Sequence, residues 1–79
     1  MKIYFYKNNI EKDWYYFYPS DRVFNLEFVY LVRSTLQEKF KSIIFKNTKI
    51  HADSIYFRFK DKADESFFLV WSNDGIELE

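Results

Sequence analysis

Apolar residues in this chain recur at two intervals, and the switch between them limits the folds open to it. From Lys2 to Lys7 and from Trp14 to Tyr18 they alternate one on, one off; from Phe24 to Phe40 they return at three- and four-residue steps; beyond Lys41 the alternation resumes. A strand turns successive side chains to opposite faces, whereas a helix brings the same face round every 3.6 residues or about that, so the pattern predicts strands on both sides of one helix.

In the first stretch Ile3 and Phe5 alternate with Lys2, Tyr4 and Tyr6, and Asn8 and Asn9 then favour a bend because Asn tolerates left-handed backbone. In the second, Trp14, Tyr16 and Tyr18 point one way, Tyr15 and Phe17 the other, and Pro19 ends the run. Ile10 to Asp13 extend one strand or the other of an N-terminal hairpin. The helical stretch gathers Phe24, Phe28, Leu31, Val32, Leu36 and Phe40 on one side and Glu27, Tyr30, Ser34, Gln37 and Lys41 on the other. Ser20, Asp21 and Asn25 are its candidate caps, while Glu27 near its start and Lys39 and Lys41 near its end suit the helix dipole. Further strands are expected at Ser42 to Lys46, Ser54 to Lys60 and Phe67 to Ser72, with a short one at Ile76 to Leu78. The links are Asn47 to Lys49, Asp61 to Glu65, and Asn73 to Gly75, whose Asp-Gly pair signals a tight hairpin turn. The expected fold is therefore α+β: a single α-helix on one face of an antiparallel β-sheet of about five strands, in the order β-β-α-β-β-β with a short strand added at the C-terminus.

One domain covering residues 1–79 is expected, near the lower size limit for a self-sufficient core. With no Cys and one His, neither disulfides nor a metal is available to staple it, and the ten Phe, seven Tyr and two Trp take that role. Alternation assigns Ile3, Phe5, Phe17, Ile43, Phe45, Ile55, Phe57, Phe59, Phe67, Leu69 and Trp71 to the helix-facing side. It assigns Tyr4, Tyr6, Trp14, Tyr16, Tyr18, Tyr56, Arg58, Lys60, Phe68 and Val70 to the opposite side.

Catalysis has little to draw on. Six serines have only His51 as a potential base, the single glycine excludes a Gly-rich phosphate cradle, and Asp64 and Glu65 are adjacent loop carboxylates. His51 with Asp53 is too few ligands for a metal site. The expectation is a protein that is not an enzyme, with no catalytic, cofactor-binding or metal-binding residues and no cofactor. No apolar run approaches the roughly 20 residues needed to span a bilayer, the N-terminus shows no secretory pattern, and the lack of Cys suits a reducing compartment; a cytoplasmic protein without membrane association is expected.

What remains is a tyrosine-rich sheet face. Tyr and Trp combine a rigid apolar body with a polar tip and lose little rotamer entropy on binding, which is why they are enriched where protein surfaces meet. Tyr4, Tyr6, Trp14, Tyr16, Tyr18 and Tyr56, with Arg58 and Lys60, form the candidate partner-binding set, and the size of the chain is that of phage or mobile-element inhibitors and immunity or antitoxin proteins. Two other uses of the same face compete. Bases of single-stranded nucleic acid stack on such rings while Lys2, Arg58 and Lys60 meet phosphates, although a formal net charge of zero weighs against it. A second copy of the chain can also cover the face or a strand edge, giving a homodimer. Tyrosines paired across strands also stabilise the sheet itself.

Overall fold

A computed structural model of the chain describes residues 2–19, 26–46 and 56–78, with backbone alone for Tyr18, Pro19 and Leu26. Seven elements follow in order: β1 (Lys2–Lys7), β2 (Tyr15–Pro19), α1 (Leu26–Lys39), β3 (Ile43–Phe45), β4 (Tyr56–Phe59), α2 (Lys62–Trp71) and β5 (Ile76–Glu77). The five strands make one sheet in the order β3-β4-β2-β1-β5, and all four pairings are antiparallel. The α+β class and the five-stranded antiparallel sheet agree with the alternation. The single helix does not, because a second, α2, takes in most of the stretch expected as the last full strand, Phe67 to Ser72.

β1 and β2 form the N-terminal hairpin, with Phe5 opposite Phe17 and Tyr6 opposite Tyr16. Ile10 to Asp13 extend neither strand. They lie in a loop closed by the Asn8 N–H donating to the Trp14 carbonyl at 2.8 Å, while the Asn8 side-chain oxygen accepts from the Ile10 and Glu11 amides at 2.8 and 3.2 Å. Asp13 takes φ 75°, the left-handed conformation that lets the chain re-enter the sheet.

Helix α1 buries Phe28, Val29, Val32 and Leu36, with Phe40 buried just beyond its end, and leaves Glu27, Tyr30, Ser34 and Gln37 exposed, with Lys41 exposed after it, as the periodicity predicts. Leu31, expected inside, is 43% exposed, and Val29 fills the inward position instead. Phe24 and the candidate caps Ser20, Asp21 and Asn25 lie outside the described residues, as do Ile55, His51, Asp53 and the Asn47 to Lys49 link.

The residues Phe67 to Ser72 read locally as strand, being a bulky run without Gly or Pro, yet all but Ser72 belong to α2. The sheet order explains why. β4 already has β3 on one edge and β2 on the other, so the chain leaving β4 finds no free edge beside it and crosses the sheet to reach β1's far side. The crossing is helical and starts at Asp61, an extended cap whose carboxylate accepts from the Ala63 amide at 2.9 Å, with Asp64 and Glu65 in the positive first turn. Asp64 also accepts from the Ser42 amide and hydroxyl, at 3.1 and 2.6 Å, fastening the helix start to the α1–β3 turn. The change of period reverses the expected sides of Phe67, Phe68 and Leu69 and leaves those of Val70 and Trp71 as assigned. Phe68, assigned outward, is 1% exposed, whereas Phe67 and Leu69, assigned inward, are 57% and 49% exposed, and Val70 is 80% exposed.

Gly75 serves the α2–β5 turn and not a hairpin. Its φ is +82°, its N–H donates to the Ser72 carbonyl at 2.9 Å, and a β-carbon there would come within 2.9 Å of the Ile3 carbonyl oxygen and 3.1 Å of the Tyr4 ring. Both helices cover the same sheet face. From α1, Phe28 meets Phe17, and just beyond its end Phe40 meets Phe59; from α2, Phe68 meets Phe5, Tyr15, Phe57 and Phe59. The buried cluster between the layers takes in Ile3, Tyr15, Phe17, Phe57 and Ile76 from the sheet, with Phe5, Ile43, Phe45, Phe59 and Trp71 packed against it.

Candidate functional site

The face of the sheet turned away from the helices carries the residues of opposite parity. Antiparallel register sets them in rows that run across the strands. One row begins with Tyr6 on β1, continues with Tyr16 on β2 and Tyr56 on β4, and ends at Lys46, whose backbone N–H donates to the Tyr56 carbonyl at 3.0 Å. The Tyr6 and Tyr16 rings stack at 5.5 Å with 27° between planes, and Tyr16 meets Tyr56 at 5.6 Å and 52°. The Lys46 ammonium closes the row 5.5 Å from the centre of the Tyr56 ring.

A second row lies one step along. Continuing the Tyr15–Phe57 and Tyr16–Tyr56 register places Trp14 across from Arg58, and the guanidinium carbon is 5.6 Å from the indole centre. The Lys46 ammonium is 5.3 Å from the same indole and 2.6 Å from the Glu11 carboxylate, so the β1–β2 loop is tied down over this corner. Attraction of a cation to an aromatic face is worth about 0.5–1 kcal/mol at exposed sites, and here it also restricts two long side chains that would otherwise range widely.

Of the predicted set, Tyr4, Tyr6, Trp14, Tyr16, Tyr56 and Arg58 fall on this face. Tyr4 and Tyr6 are 39% and 43% exposed, while Trp14, Tyr16, Tyr56 and Arg58 are half-buried among their neighbours. Tyr4 lies against Gly75 at the β5 side, with the Lys2 ammonium 5.7 Å from its ring. Tyr18 pairs with Tyr4 through the backbone, and its side chain lies outside what is described. Lys60 follows β4 and is exposed. Phe68 and Val70 leave the face altogether because they belong to α2. Lys46 and Glu11 join it without having been singled out. For Lys46 the signal was present, since it shares parity with Ile44 against the inward Ile43 and Phe45; nothing local indicates that Glu11 folds back.

Along the row each ring lies beside its neighbour, Tyr6 and Tyr16 stacked, Tyr16 and Tyr56 tilted. Tyr16 has a ring on either side, Tyr56 has a ring and a cation, Trp14 has two cations, and Tyr4 has Gly75 and Lys2. Stacking a nucleobase requires an open aromatic face, and Tyr16, Tyr56, Trp14 and Tyr4 already have neighbours at their rings.

On the covered side, Tyr15 is the one phenol of the inner cluster among the described residues, and its hydroxyl donates to Glu65 at 2.6 Å. Burial, followed by this hydrogen bond and the Glu65 and Asp13 charges, raises its pKa far above the usual tyrosine range, so it stays a neutral donor. Among the described residues no three of His, Asp and Glu gather into a metal-holding group, and no helix is long and apolar enough to cross a membrane. No protein-family model, curated protein or solved structure matches this chain.

Proposed function

We propose that this chain is a non-enzymatic protein-binding module whose docking surface is the outer sheet face, centred on Tyr6, Tyr16 and Tyr56 and bordered by Trp14, Arg58 and Lys60. The observation that carries this reading is the Tyr6–Tyr16–Tyr56–Lys46 row. It is a pre-ordered strip of amphipathic rings on a four-strand width of sheet, offering apolar edges and hydroxyl groups together. Ordering these side chains before binding removes much of the entropy loss that association otherwise carries. Because each ring of the strip already has a ring or a cation beside it, a protein surface suits the strip better than a run of stacked bases. A small chain that works by occupying such a surface is an inhibitor or an immunity- or antitoxin-type protein, the role we assign it.

The test is a variant in which Tyr6, Tyr16 and Tyr56 are all Ser, compared with the wild type as immobilised bait in extract from the native host. The expected result is a protein partner retained by the wild type and lost by a variant that still gives a folded circular-dichroism spectrum. Wild-type binding to single-stranded oligonucleotides that weakens steeply with salt and requires the same tyrosines would replace the protein reading with the nucleic-acid one. Concentration-dependent sedimentation abolished by the variant would make the partner a second copy.

A further inference from the structure

The corner formed by Trp14, Arg58, Lys46 and Glu11 holds two cations and one carboxylate. Lys46 is satisfied by Glu11 at 2.6 Å. Arg58 lies over the indole, and no carboxylate of the described residues makes an ion pair with it. We infer that a carboxylate side chain of the partner protein completes this corner, an Asp or Glu received by Arg58 with an apolar residue beside it. The inference rests on the docking surface proposed above and gives its partner a chemistry.

Three features argue for it. A guanidinium resting on an aromatic plane keeps its N–H fork in the ring's neighbourhood, and that planar fork matches the two oxygens of a carboxylate. The loop that brings Glu11 to Lys46 also presents Ile10, 91% exposed, at a position fixed by the Asn8 side-chain hydrogen bonds to the Ile10 and Glu11 amides. The apolar Ile10 thus precedes by one residue the Glu11 that holds Lys46. The acids in the first turn of α2 are already engaged within the chain: Asp61 caps Ala63, Asp64 holds Ser42 and Glu65 holds Tyr15. Phosphate would also suit Arg58, but a nucleic-acid strand needs open ring faces beside it, and Trp14 has cations over its ring.

The experiment selects random peptides displayed on phage against the immobilised full-length protein, then measures synthetic versions by fluorescence polarisation. Selected peptides are expected to carry Asp or Glu next to an apolar residue. Arg58→Gln should weaken them about tenfold or more, as for loss of a charge-assisted hydrogen-bonded pair, and raising salt to about 0.5 M should weaken the wild type but barely affect the variant. Replacing the peptide's acid by its amide should have the same effect on unaltered protein, a readout independent of how Arg58→Gln folds. Peptides that depend on Tyr16 but bind equally well after Arg58→Gln and after amidation would overturn the carboxylate inference and leave the docking surface standing. Selected peptides indifferent to Tyr16→Ser would overturn both. Oligo-dT bound through Arg58 more tightly than any selected peptide would overturn the inference in favour of phosphate.

Discussion

Aromatic side chains line both faces of the same sheet, but the two faces pack them differently. Under the helices most rings meet edge to face, as Phe5 with Phe57 at 87°, Phe57 with Phe68 at 85° and Phe40 with Phe59 at 79°, while Tyr15 and Phe57, neighbours across two strands, stack at 24°. On the outer face Tyr6 and Tyr16 stack at 27° and Tyr16 meets Tyr56 at a 52° tilt. The inner rings are rooted in three elements that approach from different directions, so they interlock as a solid. The outer rings are rooted in a single surface and can only stand beside one another. The first arrangement fills volume; the second lays a strip of rings along the surface of the sheet.

The comparison breaks most sharply at Phe68. Phe68→Ala is expected to lose about 3–5 kcal/mol, most of the stability of a domain this small, and urea unfolding would measure it. Tyr16→Ser, which removes two ring contacts on the other face, should lose only about 0.5–1.5 kcal/mol; an equal loss at the two positions would make the outer face a second core. Tyr15→Phe tests the polar exception inside. It leaves the Glu65 carboxylate without its phenol donor and should lower stability by about 1–3 kcal/mol. The same pair has a pH signature. Because the folded-state pKa lies above that of an unfolded tyrosine, near 10, the unfolded chain gives up the proton first as pH rises, so stability is unaffected below about pH 10 and falls above it. Melting temperature across that range should drop more steeply in the wild type than in Tyr15→Phe.

Gly75→Ala sharpens the boundary between the faces. The substitution places a methyl against the Ile3 carbonyl and the Tyr4 ring at a positive φ and should lower stability by about 1–3 kcal/mol, with displacement of Tyr4 visible in its NMR ring signals. The smallest effect is expected at Val70. It is 80% exposed on the outer side of α2, and Val70→Lys, whose charge suits the last turn of a helix, should change unfolding free energy by no more than about 0.5 kcal/mol, whereas the strand first expected there would have made it part of the sheet.

Much of this was legible in the residues. Ile3, Phe17 and Phe57 turn inward and Tyr4, Tyr6 and Tyr16 outward because parity within a strand is a local property, set by the backbone whatever the neighbouring strands are. The polar side of α1, from Glu27 to Gln37, was readable for the same reason at the helical period. α2 was hidden because Phe67 to Trp71 are bulky apolar residues that suit either period; Asp61, Asp64 and Glu65 were visible as a loop, though they are also what a helix start requires. The cation corner was half visible, through Arg58 and the parity of Lys46.

The sequence by itself determined which side chains each strand separates, since alternation is built into extended backbone. Tertiary structure alone decided that the segment after β4 is a helix, that Phe68 and not Phe67 enters the core, and that Glu11 reaches Lys46. Each depends on strand order: once β2 and β3 occupy both edges of β4, the chain has to cross the sheet, and only the packed rings of Phe5, Tyr15, Phe57 and Phe59 specify the face it presents as it crosses.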